Sequence, residues 1–293
     1  MALSRFQTWL LAARPKTLPA AAAPVLIGAA MAVADHRFHL LSALGALIGA
    51  LLIQIGTNFA NDYFDYAKGT DTEGRLGPLR VTQAGLVSPP TMRRATIAVF
   101  GLALLVGCYL VWRGGFPIAV IGLLSILFGV LYTAGPFPLG YRGLGDFFVL
   151  IFFGPVAVGG TYYVQALSLP TEVIVAGLAP GLFSVAILTV NNLRDLDSDR
   201  AAGKRTLAVR LGRRFAVAEY ALCVLTPVLV PLALYLFFDG SVWALAALLV
   251  LPLAVVTIRQ AATRTGRPLN DTLAATGRLL LLYSILFSIG WII

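Results

Sequence analysis

The stretch NFANDYFDYAKGTD, Asn58–Asp71, follows directly on the apolar run Leu40–Phe59. A run of about twenty apolar residues is the length that crosses a bilayer as a helix. It ends here in three carboxylates and two asparagines. Asn58, Asp62 and Asp65 recur at spacings of four and three, so one helical face carries all of them. Carboxylates at a helix C-terminus meet the negative end of the macrodipole and cost about 0.3–1 kcal/mol each. A bound cation would offset that cost. Carboxylate and amide oxygens, with no Cys or His among them, suit a hard divalent ion, Mg²⁺ or Mn²⁺.

The rest of the chain repeats the apolar pattern. Of 293 residues, 59% are hydrophobic and 12% charged, about half the charge of a soluble domain. The composition predicts an all-α polytopic membrane protein. Nine spans are expected: Leu18–Val33, Leu40–Phe59, Thr96–Trp112, Phe116–Thr133, Leu144–Val164, Val173–Val190, Phe215–Phe238, Val242–Ile258 and Leu273–Ile292. Two connections, Tyr63–Arg94 and Asn192–Arg214, read as long charged loops; Asp35–His39, Arg113–Gly115, Ala166–Glu172 and Asp239–Ser241, on the other side, are short. Of the 22 Lys and Arg, only Arg37 and Arg113 fall on the short-loop side. That asymmetry predicts a cytoplasmic N-terminus, with the C-terminus outside after nine crossings of the cell membrane. Arg5, Trp9, Arg14 and Lys16 read as an interfacial anchor and not as a cleaved signal. The net charge of +9 follows from topology and contact with anionic membrane lipid, and calls for no nucleic acid. Cys108 and Cys223 sit in apolar runs and read as small core residues.

The acidic pattern occurs twice. Asn191-x3-Asp195, followed by Asp199 and flanked by Asn192, ends the sixth span as Asn58-x3-Asp62, followed by Asp65, ends the second, 133 residues earlier. Basic residues follow each copy: Lys68, Arg75 and Arg80 after the first, Lys204 and Arg205 after the second, with Arg194 inside it. The chain is expected to form one domain, residues 1–293. It would hold two repeats, roughly 18–133 and 144–258, and a ninth helix, 273–292, around a central cavity. Two acidic helix ends on one cavity suit two ions clamping a diphosphate, since Mg²⁺ keeps waters and bridges carboxylates to phosphate oxygens. Tyr132-Thr133, Arg142 with Asp146, and Arg14-Pro15-Lys16 lie on the same side. His36 and His39 lie on the opposite side and leave the cavity without an evident histidine base. A secondary transporter is the competing class, because repeats and polar helix breaks occur there too.

Four stretches carry a family resemblance: ARPKTLPAAAAPVLIG (Ala13–Gly28), ANDYFDYAKGTDTEGRLGP (Ala60–Pro78), YTAGPFPLGYRGLGD (Tyr132–Asp146) and NNLRDLDSDRAAGKRTLAVRLG (Asn191–Gly212). The chain resembles the UbiA superfamily of intramembrane aromatic prenyltransferases, in its naphthoate branch. The resemblance implies a nine-helix bundle whose cavity opens sideways to lipid. It implies transfer of a polyprenyl group from a polyprenyl diphosphate to 1,4-dihydroxy-2-naphthoate, with loss of diphosphate and CO₂. Other branches would take 4-hydroxybenzoate, homogentisate or haem as acceptor. By likeness, Asn58, Asp62 and Asp65 hold one metal, and Asn191 or Asn192, Asp195 and Asp199 the other. Asp62, Asp65, Asp195 and Asp199 are thereby the catalytic carboxylates. Lys68, Tyr132, Arg142, Lys204 and Arg14 would contact the diphosphate or shape the site. The acid that one common superfamily spacing places four residues after Asp65 is replaced by Gly69, with Asp71 the nearest substitute.

Overall fold

Apolar residues at bilayer length can satisfy their backbone only as helices, and the chain folds accordingly. A computed structural model describes residues 3–69 and 76–293; Asp71, Glu73 and Arg75 lie outside the described residues. The helices are α1 (Arg5–Ala13), α2 (Leu18–Ala34), α3 (Leu40–Ala67), α4 (Pro89–Gly114), α5 (Phe116–Leu131), α6 (Gly145–Phe152), α7 (Pro155–Ala166), α8 (Thr171–Arg194), α9 (Leu196–Ala201), α10 (Leu207–Leu225), α11 (Leu229–Phe237), α12 (Leu251–Thr263) and α13 (Leu269–Ile292). Among the described residues, eight helical stretches are long and apolar enough to cross a membrane. The expected fourth span, α5, has 16 residues, short of the ~20 a crossing usually takes.

Local chemistry explains where the helices start and bend. Ser4 caps α1 in a reciprocal box: Ser4 Oγ accepts the Gln7 N–H (3.2 Å), and Gln7 Oε1 accepts the Ser4 N–H (2.9 Å). Arg14 then turns left-handed, φ 53°, and separates α1 from α2. The anchor expected at the N-terminus is therefore a helix of its own, held to α3 by Trp9 against Phe59, ring centroids 5.5 Å apart. Between α6 and α7 the chain breaks at Gly154, where a Cβ would stand 2.7 Å from the carbonyl oxygen of Gly177 on α8. Between α10 and α11 it tightens into a 3₁₀ turn, Thr226–Val228, at Pro227, which has no N–H to continue the ladder.

Two expectations need correction. The charged stretches are partly helical: α3 runs on to Ala67, α4 begins at Pro89, α8 continues to Arg194, and α9 and the start of α10 lie within the second. Hydropathy falls before the helix does, because the polar side chains of the last turns face a chamber and not lipid. The two cysteines also differ: Cys223 is buried, but Cys108 is exposed.

Helix α13 closes the bundle against α2, α8 and the 3₁₀ segment Val242–Val250. Its Tyr283 and Phe287 are fully buried, and Tyr283 Oη donates to the Pro227 carbonyl (3.0 Å). A smaller apolar cluster of Ala12, Phe59, Val81, Val87 and Met92 joins α1, α3, the 81–87 loop and α4. That cluster carries the loop that reaches the site.

Candidate functional site

The last turns of α3 carry two Asn-x3-Asp pairs about 60° apart around the helix, and they do different work. Asn58 and Asp62 turn toward α1 and the 81–87 loop and away from the polar chamber, with Asn58 also reaching the wall of an adjoining apolar chamber. Asn58 Nδ2 donates to the Ala13 carbonyl (3.0 Å) and to Thr17 Oγ1 (3.1 Å). Asp62 is 1% exposed and accepts the backbone N–H groups of Val81 and Thr82 (3.2 and 3.1 Å). Asn61 and Asp65 face a polar chamber of about 420 Å³. Thr133 Oγ1 donates to Asn61 Oδ1, and Tyr141 Oη donates to Asp65 Oδ1. The Arg80 guanidinium pairs with Asp65 Oδ2 at 2.5 Å. Asp62 thus pins the loop, and the loop delivers Arg80. Of the expected first ligand set, the structure brings Asp65 to the chamber and not Asn58 or Asp62. The physical reason is helical phase: both pairs have the same spacing, and packing of α1 and the 81–87 loop claims the 58/62 face.

The end of α8 supplies the facing wall. Arg194, 3% exposed, makes two bonds to Asp195, Nε to Oδ1 (2.8 Å) and Nη2 to Oδ2 (2.5 Å). It also donates to Asn191 Oδ1 (2.5 Å) and, through Nη1, to Asn270 Oδ1 (2.8 Å) at the start of α13. Asn270 in turn donates to the Leu76 carbonyl (2.9 Å). Asp199, in the short helix α9, pairs with the Lys204 ammonium at 3.1 Å. Asn191, Asn192, Asp195, Asp199 and Lys204 all line the same chamber as Asn61 and Asp65.

Tyr141 links the two walls. Its ring lies under the Lys68 ammonium (5.1 Å to the centroid) and the Lys204 ammonium (4.7 Å). Lys68 Nζ also donates to the Thr133 carbonyl at 2.5 Å. Burial pulls the Lys68 pKa below the ordinary lysine value, and the Asp65 carboxylate opposes that pull. Tyr132 lines the chamber with its ring against Gly140, where a Cβ would stand 2.7 Å away. Arg14 and Lys16 line the chamber from the α1–α2 junction. Arg142 does not: it is exposed, its guanidinium 4.3 Å above the Phe137 ring. Sequence reasoning missed Asn61, although Asn61-x3-Asp65 has the spacing of Asn191-x3-Asp195. It also missed Tyr141, for which no spacing signal exists.

Next to the polar chamber lies an apolar one of about 810 Å³, walled by α2 to α7. Asn61 and Tyr132 line both. The rings of Phe128, Phe148 and Phe152 stand together in its wall, centroids 4.6 Å (128–148) and 5.3 Å (128–152) apart. Leu104, Cys108 and Leu123 line it while remaining exposed, so it opens at the bundle surface between α4 and α5. Among the described residues no group of three or more His, Cys, Asp or Glu gathers as a metal cage.

Comparison with known proteins gives the family and the fold. The model of the UbiA prenyltransferase family matches residues 21–287. The 1,4-dihydroxy-2-naphthoate octaprenyltransferase of Escherichia coli (strain K12) is 45% identical, over 88% of this chain and 85% of that protein. The protein of the same name from Haemophilus influenzae is 37% identical, over 99% of this chain and 97% of that one. A UbiA homolog from Archaeoglobus fulgidus, solved bound to DMAPP and Mg²⁺, shares the fold with a TM-score of 0.65. The identity there is 15%, over 96% of this chain and 99% of that chain.

Proposed function

Because the chain belongs to the UbiA prenyltransferase family, we propose that it transfers a polyprenyl group from an allylic polyprenyl diphosphate to 1,4-dihydroxy-2-naphthoate. Diphosphate and CO₂ leave, and the product is a menaquinone precursor. One observation carries the reading: a polar chamber ringed by the acidic ends of α3 and α8 abuts an apolar chamber, and Asn61 and Tyr132 belong to both. An amphipathic substrate with a charged head and an isoprenoid tail fits that pair of spaces. It would place its reactive C–O bond near Tyr132.

The donors fit a divalent cation shared between protein and diphosphate. Asn61, Asp65, Asn191, Asn192, Asp195 and Asp199 offer hard oxygens, too dispersed for a cage of protein atoms alone. Mg²⁺ or Mn²⁺ held there would supply positive charge that stabilises the leaving diphosphate. The chain's own groups do the rest. Lys68, Lys204, Arg80, Arg194 and Arg14 hold the anion. The Tyr132 phenol stands where the two spaces meet and can donate a hydrogen bond there. The apolar chamber excludes water from the allylic cation, and the Phe128, Phe148 and Phe152 faces shelter its charge. The opening between α4 and α5 lets a long tail extend into lipid.

The chain is an integral membrane protein. We place it in the cytoplasmic membrane with the polar chamber and N-terminus inside, by the excess of Lys and Arg on that side, and the C-terminus outside. The two acidic helix ends would then belong to two repeats, roughly residues 18–133 and 144–258. The test is mass spectrometry of the product made by purified protein from a prenyl diphosphate, Mg²⁺ and each candidate acceptor. The reading expects prenylated, decarboxylated product from dihydroxynaphthoate alone, and none in excess EDTA. Preferred turnover of 4-hydroxybenzoate or homogentisate would overturn the acceptor assignment.

A further inference from the structure

Resting on that reading, we propose that Tyr141 is a positioning residue: its ring face sets the Lys68 and Lys204 ammoniums as one two-pronged receptor for the diphosphate. The two lysines come from opposite walls of the chamber. Lys68 caps the C-terminus of α3, and Lys204 follows α9. Two ammoniums near one site repel each other, and each carries a flexible four-carbon stem. Lys68 is held from one side by the Thr133 and Gly135 carbonyls (2.5 and 3.3 Å) and Lys204 by Asp199 (3.1 Å), and none of these bonds joins the two lysines. What joins them is one aromatic ring, 5.1 and 4.7 Å from the two ammoniums, which therefore stand at most about 10 Å apart. The negative quadrupole of the ring face offsets their mutual repulsion and fixes where they point.

Tyr141 is itself fixed at three points. Its hydroxyl donates to Asp65 from the first wall. Its carbonyl accepts the Arg205 N–H (2.7 Å), the residue directly after Lys204. Its neighbour Gly143 is left-handed, φ 74°, and packs so closely that a Cβ would stand 3.0 Å from the Arg205 carbonyl oxygen. The Leu139–Tyr141 turn is thereby bound to the α9–α10 connection at one end and to α3 at the other. The ring cannot drift without moving both. A tyrosine here unites the three tasks: its face for the cations, its hydroxyl for Asp65 and its backbone for the second wall.

The two parts of the side chain make separable predictions. Removing the face should weaken diphosphate binding, with acceptor affinity unchanged. Removing only the hydroxyl should leave diphosphate affinity nearly intact. Geranyl diphosphate with Mg²⁺ serves as the probe, its binding and KM measured on the full-length protein in detergent. For Tyr141→Leu, about a tenfold or larger rise in the diphosphate KM is expected, with the acceptor KM unchanged. For Tyr141→Phe, the change should stay within about twofold. In a Lys204→Ala background the leucine substitution should add little, because one prong is already gone. Should the leucine variant fail to fold, a graded fluorinated phenylalanine series at position 141 keeps the shape and drains the ring face. Affinity should then fall stepwise with fluorine number.

Equal diphosphate affinity across that series would overturn the proposal. So would a leucine variant whose acceptor KM rises as much as its diphosphate KM, or one whose effect is undiminished in the Lys204→Ala background. If the unaltered protein bound no geranyl diphosphate, the functional reading would fail instead. The two failures are therefore distinguishable.

Discussion

Replacing Asp62 by alanine should damage the fold more than the chemistry of the chamber. Asp62 is nearly fully buried and spends both oxygens on the Val81 and Thr82 N–H groups. A buried hydrogen bond to a charged group contributes about 1.5–3 kcal/mol, and truncation leaves the donors unsatisfied. Two such bonds put the loss at about 3–6 kcal/mol, in the range of a major single-site defect. The 81–87 loop would lift from the cluster it shares with α1 and α4. Arg80, next in the chain, would lose its hold on Asp65. The assay is thermal unfolding in micelles, with limited proteolysis of the loop and Mg²⁺ titration of activity, beside Asp65→Ala. For Asp62→Ala the expected result is a marked loss of stability, early cleavage in the loop and weakened diphosphate binding through Arg80. The Mg²⁺ dependence of the remaining activity should stay near normal. Asp65→Ala takes the carboxylate from the buried Arg80 pair and should also lose stability, but it should leave the loop uncleaved and should abolish turnover or raise its Mg²⁺ requirement sharply. An Asp62→Ala protein of unaltered stability that needs far more Mg²⁺ would refute the reasoning and return Asp62 to the metal.

Three further outcomes follow from named contacts. Gly140→Ala should push the Tyr132 ring aside, since the new Cβ would meet it at 2.7 Å; turnover should fall severalfold with little change in thermal stability, compared by kcat and melting temperature. Gly28→Ala has no such outlet, because its Cβ would stand 2.5 Å from the backbone oxygen of Val158 on α7; about 1–3 kcal/mol of stability should be lost, read from the same melts. Lys68, whose pKa burial lowers, should lose its charge at a lower pH than an ordinary lysine. Affinity for the diphosphate should therefore decline as pH rises into the alkaline range, and Lys68→Arg, charged throughout, should flatten that decline in a KM–pH profile.

The membrane class and the helices were legible because bilayer thickness sets a length that composition reveals directly. The two acidic helix ends were legible because carboxylates cost stability there unless a cation answers them. Helical phase was not. Asn58-x3-Asp62 and Asn61-x3-Asp65 overlap in one stretch, and spacing alone cannot tell which pair faces inward. That choice belongs to α1 and the 81–87 loop, which are remote in sequence from Asp195. Tyr141 was hidden for the same reason. Its partners Lys68, Asp65 and Lys204 are brought to it by three different elements, and no local pattern announces a residue that acts by contact alone. Arg142 shows the converse: a cation one position from the site in sequence lies against Phe137 at the surface.

The central claim is that the inward faces of α3 and α8 grip one diphosphate together. Anomalous scattering from Mn²⁺ in crystals grown with a prenyl diphosphate tests it most directly. The account predicts manganese within oxygen-ligand reach of Asp65 on one side and Asp195 or Asp199 on the other, with diphosphate oxygens between them. Manganese bound at the Asn58–Asp62 face, or ions in two unconnected places, would contradict it.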